Sequence, residues 1–212
     1  MSVQPWFPTP IYIHQLEGSE LAGVQHELWP MYHNQLPSMA RRSYLNESGT
    51  HRITSPDFKC NVITASGCDQ FLALVLTHAR QYLNTLAIDA DYWAKDMAIV
   101  NSWCTLTQQG ECAVLHDHGN TDISGVYYLQ TTGLDGDIYF KTPNNVQSHS
   151  YLFQHIPNSQ SVKPTVGQLI LWPGYLEHGT MINTTATDRI SISFNIQARR
   201  WYQDRLFGPK NS

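Results

Sequence analysis

Residues 189–198 read Arg189-Ile190-Ser191-Ile192-Ser193-Phe194-Asn195-Ile196-Gln197-Ala198. In a strand, alternate side chains share a face, so Arg189, Ser191, Ser193 and Asn195 point one way and Ile190, Ile192 and Phe194 the other. Both faces cannot be apolar core. One of them lines something polar. An arginine turned into an enclosed space is costly unless it meets an anion, and its planar fork suits a carboxylate. Arg189 and Ser191 together are placed to clamp one end of a dicarboxylic acid; the alternative is an arginine on the outer, solvated face of the sheet.

Working back from this strand, the chain after about Met97 is a train of short strands. They read MAIVNSWCTLT, ECAVLHDH, ISGVYYLQT, GDIYFKT, SYLFQHI, QLILWP and RISISFNIQA, divided by the breakers QQG, GNTD, GLDG, PNN and PTVG. Seven or eight strands at this spacing, with no helix between them, predict an antiparallel sandwich or barrel. The fold class is mainly β, a jelly-roll core (double-stranded β-helix, cupin-like) with N-terminal helices packed outside. One domain is expected over 1–212, with a strand, helices and a loop in 1–95 and the jelly roll in 96–205.

The N-terminal part carries Ile11, Ile13 and Leu16 in alternation, a short strand. Leu21, Val24, Leu28 and Met31 then recur at helical spacing within Glu17 to Leu36, and Pro30 predicts a break. From Pro37 to about Ser66 the chain is polar and irregular, a lid, a binding loop or a surface excursion with a short strand in it. Arg41, Arg42 and Arg52 in this stretch are candidates for an acidic substrate. The clearest helix follows, with Ser66 as cap and Phe71, Leu74, Val75, His78, Tyr82, Leu83 and Leu86 on one stripe. His78 there reads as a core or edge histidine.

The bulk composition narrows the function classes. Thirteen basic residues against 17 acidic give a net charge of -4, which argues against nucleic acid as a partner. No apolar run approaches the ~20 residues of a membrane span, and MSVQPWFPTPIYIHQL lacks the pattern of a secretory signal. Cys60, Cys68, Cys104 and Cys112 form no CxxC pair and read as free thiols, which makes the cytoplasm the expected location.

Two elements could bind a metal. In Leu115-His116-Asp117-His118-Gly119, residues two apart share a face, so His116 and His118 project together. Paired imidazoles suit a divalent transition metal, although HxH alone is a weak signal. In Trp172-Pro173-Gly174-Tyr175-Leu176-Glu177-His178, a buried strand runs into a Pro-Gly turn, and His178 follows as the candidate third ligand. Three protein ligands leave positions of an octahedron open for other ligands. Asp122, brought inward by a bulge after Gly119, is a substitute ligand, while Asp117 faces away. Asn101 and Trp103 share a strand face and are candidate lining residues. Tyr128, or its neighbour Tyr127, is a candidate hydroxyl donor to a carboxylate.

In this order the elements resemble the 2-oxoglutarate- and iron(II)-dependent oxygenases. The resemblance also reaches a small bacterial and phage subgroup that shows PWFPTPIYI, N-x-W, H-x-H, SGVYYL, a late W/F-P…H and RISISFN. It implies iron(II) as metal on His116, His118 and His178, and 2-oxoglutarate as cosubstrate at Arg189 and Ser191, with Tyr128 and Asn101 nearby. It further implies a dioxygenase that couples 2-oxoglutarate decarboxylation to hydroxylation or a related oxidation of a small-molecule or peptide substrate; a homodimer is compatible with it. The departure is His118, which stands where the wider superfamily carries a carboxylate. Three neutral ligands are also the donor set of cupin-type metalloenzymes that do not use 2-oxoglutarate. A non-catalytic jelly-roll binding module is the remaining alternative.

Overall fold

The computed structural model describes residues 9–43, 50–54, 60–93, 96–144, 149, 151 and 153–198. Ten strands and four helices occur in it: β1 (Tyr12–Gln15), α1 (Gly18–Gln35), β2 (Ala40–Ser43), β3 (Thr50–Ile53), α2 (Val62–Ala65), α3 (Asp69–Thr85), α4 (Ala90–Trp93), β4 (Met97–Thr107), β5 (Ile123–Gln130), β6 (Ile138–Lys141), β7 (Ser159–Val162), β8 (Gln168–Pro173), β9 (His178–Thr180) and β10 (Arg189–Ala198). A seven-stranded sheet runs β1-β8-β5-β10-β4-β3-β2, and a three-stranded sheet runs β7-β6-β9. Every strand pairing is antiparallel. This is the mainly β architecture expected.

The alternation in β10 assigns the two faces of the large sheet. Ile190, Ile192, Phe194 and Ile196 pack with Tyr127, Leu129, Leu169 and Leu171 against Val24 and Leu28 of α1 and Phe71 and Val75 of α3. Arg189, Ser191 and Asn195 are buried on the opposite face. That face meets the small sheet across a second cluster of Val126, Tyr128, Ile138, Phe140, Ile170, Trp172 and Leu176. Both sides are thus covered, but only one is apolar throughout.

The two helices outside the sheet end differently from the sequence prediction. Helix α1 passes through Pro30 without a break. Pro30 is on the exposed side, and burial of Val24, Leu28, Met31 and Tyr32 offsets the lost backbone hydrogen bond. Ser66 does not cap α3; it closes the short α2, and α3 begins at Asp69 after Cys68 and ends at Thr85, one residue before Leu86. The cap comes from α1 instead. Glu27 accepts the backbone N–H of Gln70 (3.0 Å) and of Phe71 (2.8 Å), placing a carboxylate at the positive end of the helix. Glu27→Ala is expected to cost about 1 kcal/mol, seen as a Tm lower by about 2–4 °C in a chain of this size.

Other differences concern strands. ECAVLHDH forms no regular strand; one bridge, His116 to His178, is its strand-like pairing. SYLFQHI is not a strand among its described residues, and Phe153–His155 is a turn of 3₁₀ helix. Among its described residues, the stretch from Pro37 to Ser66 contains β2, β3 and α2, more regular structure than its polar composition implies. Arg41 and Arg52 face each other in the β2–β3 register, and Arg41 lies 3.6 Å from the buried carboxylate of Glu111. The four cysteines are free thiols, with Cys60 half-buried and the others buried. No helix among the described residues is long and apolar enough to cross a membrane.

Candidate metal centre

His116 and His178 are set side by side by their backbones. The His116 N–H donates to the His178 carbonyl (2.9 Å) and the His178 N–H to the His116 carbonyl (2.8 Å). His118 joins them because its N–H donates to the Gly174 carbonyl in the Pro-Gly turn (2.9 Å). The convergence expected from strand alternation therefore occurs without a strand. Ring centroids lie 4.4 Å (His116–His178), 5.0 Å (His118–His178) and 5.1 Å (His116–His118) apart. One donor atom from each ring lies within 4.8 Å of the other two.

Each ring has a fixed tautomer. Nδ1 of His116 sits 2.7 Å from the Val114 carbonyl and Nδ1 of His178 sits 2.9 Å from the Leu176 carbonyl. Carbonyls only accept, so both Nδ1 atoms carry the proton and leave Nε2 a lone pair. For His118 the acceptor is a side chain. Its Nδ1 is 2.6 Å from Asn195 Oδ1, which also accepts from Ser124 Oγ at 2.8 Å. The β5–β10 register puts Ser124 opposite Asn195. Burial, with His116 adding to it, pushes the His118 imidazole down to about 4, against the opposing pull of Asn195 and Asp117. Burial, then His116 and His118, holds His178 well below its ordinary value. Three neutral imidazoles with outer partners on Nδ1 are the donor set of a divalent transition metal, so the residues present fit such an ion.

The neighbouring carboxylates are turned elsewhere. Asp117 accepts the Gly119 N–H (2.8 Å). Asp122 accepts the Ala198 N–H (2.8 Å) and lines a separate cleft of about 540 Å³ that shares no residue with the histidine cavity. The inward bulge that would make Asp122 a ligand is not formed.

The histidines open into a cavity of about 70 Å³ that also contains Trp103, Tyr128, Trp172, Thr180, Arg189 and Ser191. Arg189 is 2% exposed, so the outer-face placement does not occur. Its Nη1 donates to the carbonyls of Asp135 (2.8 Å) and Gly136, and its Nη2 to the hydroxyls of Thr180 (2.9 Å) and Thr107 (3.4 Å). Gly136 sits at φ +98, and a Cβ there would collide with the Met181 carbonyl, so glycine lets this turn close over the guanidinium. Among the described residues no carboxylate reaches ion-pair distance of Arg189, and none lines the cavity. Here is a buried cation held only by neutral dipoles.

Tyr128 lines the cavity beside Ser191, its partner in the β5–β10 register. Burial pushes its hydroxyl up to about 12, so it stays a protonated donor. Tyr127 points to the other face and packs edge-on against Phe71 at 5.1 Å. Trp103 lies 5.7 Å from His118. Asn101 does not line the cavity; it stands across from Asn195 in the β4–β10 register. Sequence reasoning missed Asn195 and Ser124 as partners of His118, and Thr107 and Thr180 as partners of Arg189. The polar face of β10 already contained Asn195. Thr180 stands two residues after His178, and Thr107 becomes a neighbour only through the β4–β10 register.

Residues 101–195 match a family model described as "Putative 2OG-Fe(II) oxygenase". No protein of curated function matches the sequence. Among solved structures, the chain is similar to the epimerase SnoN in complex with Fe3+, alpha ketoglutarate and nogalamycin RO (12% identity, 96% of this chain and 88% of that one, TM-score 0.60). It is also similar to a Pseudomonas putida prolyl-4-hydroxylase (14%, 91% and 94%, 0.55). A third is HygX from Streptomyces hygroscopicus with nickel, 2-oxoglutarate and hygromycin B bound (12%, 89% and 83%, 0.51). At these identities the structures share the double-stranded β-helix fold, while the matched segment holds all three histidines and Arg189. The match likens this segment, under half of the chain, to the 2OG-Fe(II) oxygenases, and two of the structures that share the fold contain a metal ion and 2-oxoglutarate (alpha ketoglutarate).

Proposed function

We propose that His116, His118 and His178 hold a single iron(II) and that Arg189 receives the far carboxylate of 2-oxoglutarate, in an enzyme that hydroxylates or otherwise oxidises an organic substrate. The observation that carries this reading is the buried guanidinium of Arg189, with no carboxylate partner among the described residues, in the same cavity as three converging imidazoles. Arg189 with iron(II) brings three positive charges to a cavity without a carboxylate, and a dianion compensates most of them. When bound, iron(II) supplies activation of oxygen coupled to decarboxylation of 2-oxoglutarate.

The chain's own residues bind and orient. Arg189 keeps two N–H groups on the Asp135 and Gly136 carbonyls, which fixes the guanidinium plane. The 3.4 Å bond to Thr107 is the longest it makes and is the one a carboxylate oxygen replaces. Ser191 and Tyr128 add neutral donors to the same end. Trp172, whose indole N–H is buried without a hydrogen bond, and Phe140 pack against His178 and keep water from the ring.

The substrate is a small molecule or a peptide, a class supported by a structural relative in complex with a peptide fragment and by HygX with hygromycin B bound. Purified protein given iron(II) and ascorbate should consume 2-oxoglutarate slowly even without substrate and release succinate. No consumption and no binding of 2-oxoglutarate would sink the reading. Oxygen uptake independent of 2-oxoglutarate would favour the cupin-type alternative.

Asn195→Ala removes the acceptor that orients His118, and metal affinity should fall ~10–100-fold. Asn195→Asp, which keeps an acceptor at that place, should retain most of the affinity. Equal losses in the two variants would separate His118 orientation from metal binding.

A further inference from the structure

A second group of donors lies outside the jelly-roll cavity, where β1, α1 and α3 meet. It consists of His14 on β1, Glu20 in the first turn of α1 and His78 on α3. One donor atom from each lies within 4.8 Å of the others. We propose that His14, Glu20 and His78 form a second, structural site for a divalent transition ion of the zinc class, joining the edge strand of the large sheet to both outer helices.

The tautomer of His78 can be derived. Tyr12 donates its single hydroxyl proton to Gln81 Oε1 at 2.8 Å. Its oxygen therefore accepts from His78 Nδ1 at 2.8 Å, and Nδ1 also lies 3.1 Å from Gln81 Oε1. The proton is on Nδ1 and the lone pair on Nε2, the arrangement found at all three histidines of the cavity. An imidazole oriented by an oxygen partner on its far nitrogen is what metal-binding histidines show. His78 is 6% exposed. Burial also keeps it below its ordinary value, hence neutral, which a ligand must be.

His14 supplies the independent observation. Its Nε2 is buried and has no hydrogen-bond partner. The nearest charged atom is Glu20 Oε2 at 3.6 Å, too long for a hydrogen bond. Two donors on one tetrahedral zinc lie roughly 3.4 Å apart, given bonds of ~2.0–2.2 Å. The His14–Glu20 gap matches that spacing, and it leaves a buried nitrogen unpaired unless something sits between. The His14 and His78 rings are already neighbours, with centroids 4.0 Å apart. Two imidazoles and one carboxylate make the donor set, and Glu20, 47% exposed, leaves a fourth position to water.

The test is zinc titration of metal-free, full-length protein in a His116→Ala/His178→Ala background, which leaves one imidazole in the cavity. Calorimetry should show one equivalent bound there, against two in the unsubstituted chain, and zinc should raise the Tm of that background. Adding Glu20→Gln, an exposed change that does not threaten the fold, should weaken the remaining equivalent at least ~10-fold, and His14→Ala should do the same. No uptake in the background variant overturns the proposal. So does uptake that Glu20→Gln and His14→Ala leave unchanged. Neither outcome bears on iron at the cavity, because that centre is removed from the measurement.

Discussion

With iron(II) on the three histidines as proposed, His178→Ala is expected to lower iron(II) affinity by more than the ~10–100-fold that loss of an outer partner costs. The reason is that a three-imidazole set has no charged ligand to hold the ion when one member is lost. The backbone pair between His116 and His178 does not depend on the side chain, so the fold should survive. His116→Ala and His118→Ala should cause losses of the same order. His118 is the informative member, because by the sequence resemblance it stands where a carboxylate is usual. Its Nδ1 is tied to Asn195, and the tautomer this sets leaves the lone pair on Nε2, as in the other two rings. Asp122→Asn should leave binding unchanged, since that carboxylate is committed to the Ala198 N–H. Binding is read from metal-dependent Tm, which rises only if the ion prefers the folded chain. A His118→Ala protein that retains iron like the parent would refute three-histidine ligation.

Much of this was legible in the sequence because β10 carries a period of two with opposite chemistry on each face. That alternation set the sheet's polarity, and it put Arg189 and Ser191 into the cavity. Strands β4, β8 and β10 match the ranges of their apolar runs to the residue. The histidines were legible for a weaker reason. HxH implied a strand, yet the residues meet through one bridge and a turn. The right convergence came by a different route. Long-range partners left no local signal. Glu27 caps a helix 43 positions away, and Thr107 reaches Arg189 across 82. Such pairs follow from register, and register is set by the whole sheet. The short strands β7 and β9 were missed, and β2 and β3 were anticipated only as one unplaced short strand, because three or four residues carry too little periodicity to outweigh polar composition.

Arg189→Met separates binding from stability. The guanidinium stands buried with no carboxylate partner among the described residues, so its desolvation opposes the charge-assisted bonds to Asp135, Gly136, Thr180 and Thr107. Removing it strands two carbonyls, at about 1–3 kcal/mol each, but also removes the buried charge. The net change in stability should stay near ~2 kcal/mol, a modest fall in Tm. Binding of 2-oxoglutarate has no such offset. Truncating one partner of a buried charged pair costs about 2–5 kcal/mol, which corresponds to roughly 30- to several-thousand-fold in affinity. Arg189→Lys keeps the charge but has no fork to hold the two carbonyls and a carboxylate together, so at least ~10-fold of the loss should persist. Iron affinity should be unaltered in both variants, since neither change touches an imidazole. Equal 2-oxoglutarate affinity in parent and Arg189→Met would mean that the buried cation serves the fold alone and that the cosubstrate is anchored elsewhere.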